Sequence, residues 1–378
     1  EMDAMHVASS VHPGTVVVPA ALAASIAVNA SGPDLARAVL RGTEAAIRVG
    51  RSTGMAHRQS FQSTSTCGGI GAALACADLL GLTRSESLDA MGNMASIAGG
   101  LWAFLEEDTL TKQWHAARAA EGAILSAQLA AEGLRGAHRA LDGKRGFLAV
   151  LCGGGDASEL GMRRAQWQIH DTAFKPWPSP RPTHAAITCA LNARARIGDV
   201  PIARVVLRTY GFAVDLCNRH PITTAHDARF SLRHCAAVAL RNGTVGFGSF
   251  ALDEIDRHAA MVSLIDVIAD PQMTAAYPRW SKASLTIFLG NGETLVEEVE
   301  HALGDPGLPL SPAERVGKHN ALLARASISA ESDLQTDIQM IASGAQSPAQ
   351  LLDRAFRNCG LSFADGRVAG HIFSEETT

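Results

Sequence analysis

The hydrophobic period of this 378-residue chain changes twice, and the change limits what it can fold into. Up to about residue 170, and again after about 308, apolar residues recur at helical spacing. Between these stretches the pattern is β-like. Ala283, Leu285, Ile287 and Leu289 alternate with their neighbours, Asn291-Gly292 offers a hairpin turn, and Leu295, Glu297 and Val299 alternate again. Arg204–Tyr210 is β-branched and extended, and Ala228–Leu240 reads as a helix closed by Asn242-Gly243. The predicted order is helical, then α+β, then helical. The fold class is therefore mainly α with an inserted α+β domain. Residues 1–171 and 308–378 form one helical domain from both ends of the chain, and 172–307 form the smaller α+β domain. No internal repeat is visible.

Within the helical part, residues 1–14 read as a loop presenting polar side chains. Val16–Val28 is apolar and rich in alanine, with Pro19 placed for a helix start. Ser31-Gly-Pro-Asp34 is an N-cap signal for a helix burying Leu35, Val39 and Ile47. Arg51–Thr66 is polar, rich in Ser and Thr, and predicts a loop. Cys67–Leu80 is small and apolar. Its Gly68, Gly69 and Gly71 do not complete GxGxxG and no strand precedes them, so helix–helix contact is expected rather than phosphate binding. Thr83-Arg-Ser-Glu86 and Ser311-Pro-Ala-Glu314 are capping boxes. Leu125 and Leu129 are expected in the core, and Gly143–Gly155 as a glycine-rich loop.

The formal net charge of −4 gives no reason to expect nucleic acid or an anionic membrane as partner. No apolar run reaches the ~20 residues that span a bilayer. Seven cysteines, an odd number without CxxC, argue for reduced thiols in a cytoplasm and against a disulfide scaffold, a structural zinc or an iron–sulfur cluster. No cofactor or metal is expected.

Three stretches carry the candidate chemistry. In Thr111–Gly122, Thr111, His115 and Arg118 fall on one helical face with Lys112 beside them, walled by Ala116, Ala117, Ala119 and Ala120. Clustered cations and imidazoles suit carboxylate binding, because burying them without an anion is costly. Lys175 sits in the proline-stiffened Phe174–His184, which also carries Arg181. His12 precedes Pro13-Gly14 near the start.

These stretches, with STCGGIGAALACADLLGL, ARFSLRHCAAVALRNG and GDPGLPLSPAERV in the same order, resemble the MmgE/PrpD family over nearly the whole chain. That family includes 2-methylcitrate dehydratase, cis-aconitate decarboxylase and iminodisuccinate epimerase. The resemblance implies a helical domain with the α+β domain as a lid. It also implies a cofactor-independent cytoplasmic lyase, first of all a hydro-lyase, working on a small di- or tricarboxylate as a homodimer. Decarboxylation, epimerisation, or a catalytically weak carboxylate-binding role remain alternatives. Family members usually carry further helices before this chain's first residue, so an incomplete N-terminal part is expected.

His12 matches the acid/base histidine, with His6 and His234 as partners. Histidine suits proton transfer because its pKa is ~6.5. Lys112 and Lys175 match the lysines that bind carboxylates. Asp3 and Glu1 orient the histidines, while His115, Arg181 and Gln62 contact substrate. Three departures bear on the reaction. Ala4 replaces a carboxylate of the family's acidic segment, Gln62 stands where relatives commonly have histidine, and His234 where they often have tyrosine.

Overall fold

The computed structural model describes residues 2–106, 109–326, 334–358, 362–364 and 367–369. Chain contacts divide it into two units. One comprises the chain up to Ala8 together with Asp171–Arg315. The other comprises Ser9–His170 and Val316 onward. This moves the first eight residues out of the expected helical domain. Residues 2–4 keep the expected loop, while β1, Met5–His6, pairs antiparallel with β2, Thr172–Ala173. Backbone pairing places them, and their mixed side chains show no period that reveals it.

The helical unit begins with α1, Gly14–Ala27, α2, Gly32–Ser52, and α3, Gly54–Ser60. It continues through α4, Ser63–Leu79, α5, Arg84–Ser96, and α6, Thr111–Ala131. Two short helices follow, α7, Phe147–Leu151, and α8, Ser158–Gly161.

α4 is the hub. It is buried from Ser63 through Ala73 without a break, and α1, α2, α5 and α6 all pack against it. Such burial on every face requires small residues. A Cβ on Gly71 would sit 2.4 Å from the Gly42 carbonyl oxygen of α2, so bare glycine sets how close these two backbones come. The capping signals at Ser31 and Thr83 are realised.

Several expectations change. Arg51–Thr66 is largely helical. Ser52 and Thr53 donate to the Val49 and Gly50 carbonyls, which lets hydroxyl residues ride inside a helical segment. Pro19 lies within α1, which starts at Gly14. Gly143–Gly155 contains α7, held by buried Phe147 and Leu148. Leu125 and Leu129 are 46% and 38% exposed, because α6 turns its alanines Ala119, Ala120, Ala123 and Ala127 inward instead.

The α+β unit holds six further helices: α9, His184–Ile197, α10, Gly211–Cys217, α11, Ala225–Arg229, α12, Leu232–Asn242, α13, Leu252–Val262, and α14, Pro271–Ala276. Its sheet comprises β3, Ile202–Thr209, β4, Ile265–Ala269, β5, Ala283–Leu289, and β6, Thr294–Val299, in the order β4-β3-β5-β6. β3 and β4 run parallel and the other pairs antiparallel. The predicted alternation holds in β5, where Ala283, Leu285, Ile287 and Leu289 are buried; α9 packs on β5 and β6. Gly292 takes φ +89° in the hairpin turn. The single helix expected over Ala228–Leu240 is two. Phe230-Ser231 breaks it, and Ser231 Oγ accepts from the His234 amide to start α12.

α15, Pro312–Arg325, follows the second capping box, whose Ser311–Glu314 bonds all form. α16, Leu334–Ala342, α17, Pro348–Asn358, and a hairpin of β7, Ser362–Ala364, with β8, Arg367–Ala369, belong to the helical unit. Cys359 lies outside the described residues.

Candidate active site

The predicted residues fall into two groups, one in each unit. In the helical unit His12 stands just ahead of α1. Its amide donates to Thr64 Oγ1 at 3.0 Å, and its carbonyl accepts from Thr15 Oγ1 at 2.8 Å. The peptide groups on both sides are thus pinned, one of them to the first turn of α4. Thr64 was not singled out from the sequence, where it is one hydroxyl in the STST run. Lys112 lies half-buried in the first turn of α6.

One turn further on, His115 Nδ1 lies 2.8 Å from Gln62 Oε1. Phe104 packs edge-on against the ring, 5.6 Å between centroids. Gln62 is 5% exposed, and its backbone N–H donates to the Gly100 carbonyl at 2.9 Å. Gly100 has φ +128°, and a Cβ there would stand 2.9 Å from Ser65 Cβ and 3.4 Å from His115 Nδ1. Glycine is what lets this corner close. Burial pulls His115 below its ordinary 6.5, which favours the neutral ring at pH 7. Ser65, Thr111, His115 and Arg118 help line a cavity of about 600 Å³.

In the α+β unit the β1–β2 pairing does the positioning. Its register pairs His6 with Thr172 and Met5 with Ala173. Continued by two residues on each strand, it sets Asp3 opposite Lys175. Lys175 Nζ lies 3.1 Å from Asp3 Oδ1, with the lysine side chain 1% exposed. Asp3 thus meets the Lys175 ammonium. His6 is buried on the same strand. Glu1 lies outside the described residues.

Arg181 is buried in an ion pair with Asp305, which also accepts from the Ala302 amide. His234 is fully buried in α12. Its Nε2–H donates to the Ser249 carbonyl at 2.8 Å, and Phe250 and His258 pack beside the ring. Both residues were expected at the substrate and both are engaged inside the α+β unit. Asp305 and His258 carry no local motif, and only the tertiary fold reveals them. Among the described residues no group of three His, Cys, Asp or Glu side chains converges as a metal site.

A helical unit and an α+β unit, each built from separated stretches of the chain, make this a two-domain, mainly α protein. Residues 1–160 match the MmgE/PrpD N-terminal domain and residues 177–342 the MmgE/PrpD C-terminal domain. The chain belongs to the MmgE/PrpD family. It is 27% identical over 327 residues to cis-aconitate decarboxylase of Homo sapiens, covering 82% of this chain and 67% of that protein. It is likewise 27% identical over 332 residues to the Mus musculus protein of the same name, covering 82% and 66%. The chain thus spans about two thirds of the length of these relatives. None of its described helices is long and apolar enough to cross a membrane.

Proposed function

We propose that the protein is a cofactor-independent lyase, in first reading a hydro-lyase, that moves a proton at the carbon α to a carboxylate of a small di- or tricarboxylate. The observation that carries this reading is the Lys175–Asp3 pair. A lysine buried to 1% costs several kcal/mol to desolvate unless an anion compensates. A carboxylate substrate extends that compensation, and a low-dielectric surrounding strengthens the attraction. Lys112 supplies a second cation. His12, with its backbone held on both sides, is the acid/base. His234 is left out of the chemistry because its Nε2–H is engaged by the Ser249 carbonyl. The six cysteines among the described residues are buried as thiols, which suits a reducing cytoplasm.

Decarboxylation is the second reading, favoured by the two relatives named for it. Dehydration breaks a C–H bond to leave negative charge α to a carboxylate and then expels hydroxide from the neighbouring carbon, whereas decarboxylation breaks a C–C bond, releases CO₂ and leaves a carbanion that takes up a proton. Incubation with citrate, 2-methylcitrate, cis-aconitate and aspartate derivatives in D₂O, followed by NMR, separates them. New alkene signals without CO₂ support the hydro-lyase, and CO₂ release supports the decarboxylase. Deuterium exchange without net loss indicates epimerisation. No change in any acid would sink the lyase and leave a carboxylate-binding protein.

A further inference from the structure

The 600 Å³ cavity of the helical unit is lined by neither His12 nor Lys112, and its chemistry differs from theirs. Arg118 is its one described cation, and no acidic side chain among the described residues lines it. Much of its wall is apolar, through Ile97, Leu101, Phe104 and Trp114. Ser65, Thr109 and Thr111 add hydroxyls. Its volume falls within the usual range for small-molecule pockets, ~300–1,000 Å³.

His115 gives this cavity a directed polar group. A neutral imidazole carries one N–H, and the Gln62 carbonyl oxygen can only accept, so the proton belongs on Nδ1. The lone pair is then on Nε2, at the opposite edge of the ring. Among the described residues no protein group hydrogen-bonds Nε2. Arg118 pairs with Glu121 at 2.6 Å, but both are more than half exposed, and such a surface pair is worth little against a better-placed anion.

We propose that this cavity binds a monoanionic hydroxycarboxylate with an apolar or aromatic body. The carboxylate meets Arg118, the hydroxyl donates to His115 Nε2, and the body lies against Phe104, Trp114 and Ile97. Gln62 is a positioning residue that sets the His115 tautomer. One cation matches one carboxylate, which distinguishes this ligand from the di- or tricarboxylate of the proposed lyase.

The probe is 3-phenyllactate, titrated at pH 7.5 into protein with ¹⁵N-labelled histidine, His115 being assigned by its absence in His115→Phe. The free protein is expected to show His115 protonated on Nδ1, and the ligand to shift Nε2 saturably. 3-Phenylpropionate, which lacks the hydroxyl, should bind about tenfold more weakly, and Arg118→Met should weaken 3-phenyllactate about tenfold to a hundredfold. Gln62→Leu should lose the Nδ1–H tautomer and Gln62→Glu retain it, with the ring signals of His57 unchanged in both. A proton on Nε2 in the free protein, a shift that does not saturate, or equal binding by Arg118→Met would overturn the proposal. Turnover in the D₂O panel without a saturable shift would sink this site alone. A saturable shift without turnover would sink the lyase alone.

Discussion

His12 and the two lysines have separable roles in the proposed reaction. General acid–base catalysis contributes about 10²–10⁴-fold, so His12→Ala should lower kcat by that order with KM nearly unchanged. Lys112→Met or Lys175→Met should raise KM by about tenfold to a hundredfold, the worth of a charge-assisted hydrogen bond. Steady-state kinetics on the active acid decide this, and a His12→Ala protein that turns over normally but binds poorly would make His12 an anchor. A second prediction concerns His234 and His258, both held below 6.5 chiefly by burial. His258 and Glu254 act on the first ring, and Glu254, Arg241 and Arg257 on the second. The unfolded chain takes up these protons below 6.5, where the folded protein does not. Their contribution is whole above 6.5 and falls as the pH drops through the lowered folded values. The slope is at most about 1.4 kcal/mol per pH unit for each ring. His57 titrates in the same direction, so the informative comparison is between proteins. The urea midpoint of the wild type should fall more steeply from pH 7.5 to 5.5 than that of His258→Gln.

At the scale of elements, the contact of α2 with α4 depends on glycine. A Cβ at position 71 would also stand 2.6 Å from Ala46 Cβ and from the Ala46 backbone nitrogen. Backbone cannot rotate away as a side chain can, so Gly71→Ala should destabilise by ~1–3 kcal/mol, outweighing its helix propensity gain of up to ~1 kcal/mol. A thermal midpoint equal to or above the wild type would show that the helices separate without penalty. The α5 cap gives a smaller, local effect. Thr83 Oγ1 accepts from the Glu86 amide while Glu86 accepts from the Thr83 amide, and Thr83→Ala should lose about 1 kcal/mol by chemical denaturation.

For the whole molecule, the proposal has two further consequences. Activity should survive exhaustive chelation, since the chemistry is assigned to imidazole and ammonium groups. Activity lost with a chelator and restored by iron or zinc would refute the cofactor-independent reading. We also propose a homodimer. α6 leaves Leu125 and Leu129 exposed, along with Leu110 just before it, an apolar surface that association would cover. Light scattering at micromolar concentration should give twice the chain mass, and a stable monomer would count against it.

What could be read directly from the residues was local. The caps at Ser31, Thr83 and Ser311, the alternation of β5, the Asn291-Gly292 turn and the shared face of Thr111, His115 and Arg118 all depend on residues a few positions apart. Their geometry follows from helical and strand periods, and it is present in the fold. The two-domain architecture was legible for the same reason. Tertiary structure decided the rest. Asp3 meets Lys175 only because two short strands from distant parts of the chain pair in one register. Gln62 meets His115 only because the start of α4 packs beside α6. His234, which reads as an acid/base gain, is enclosed against α13. Burial and cross-chain pairing are sums over many separated residues. No short motif encodes them, and they decide whether a histidine or lysine can reach a substrate.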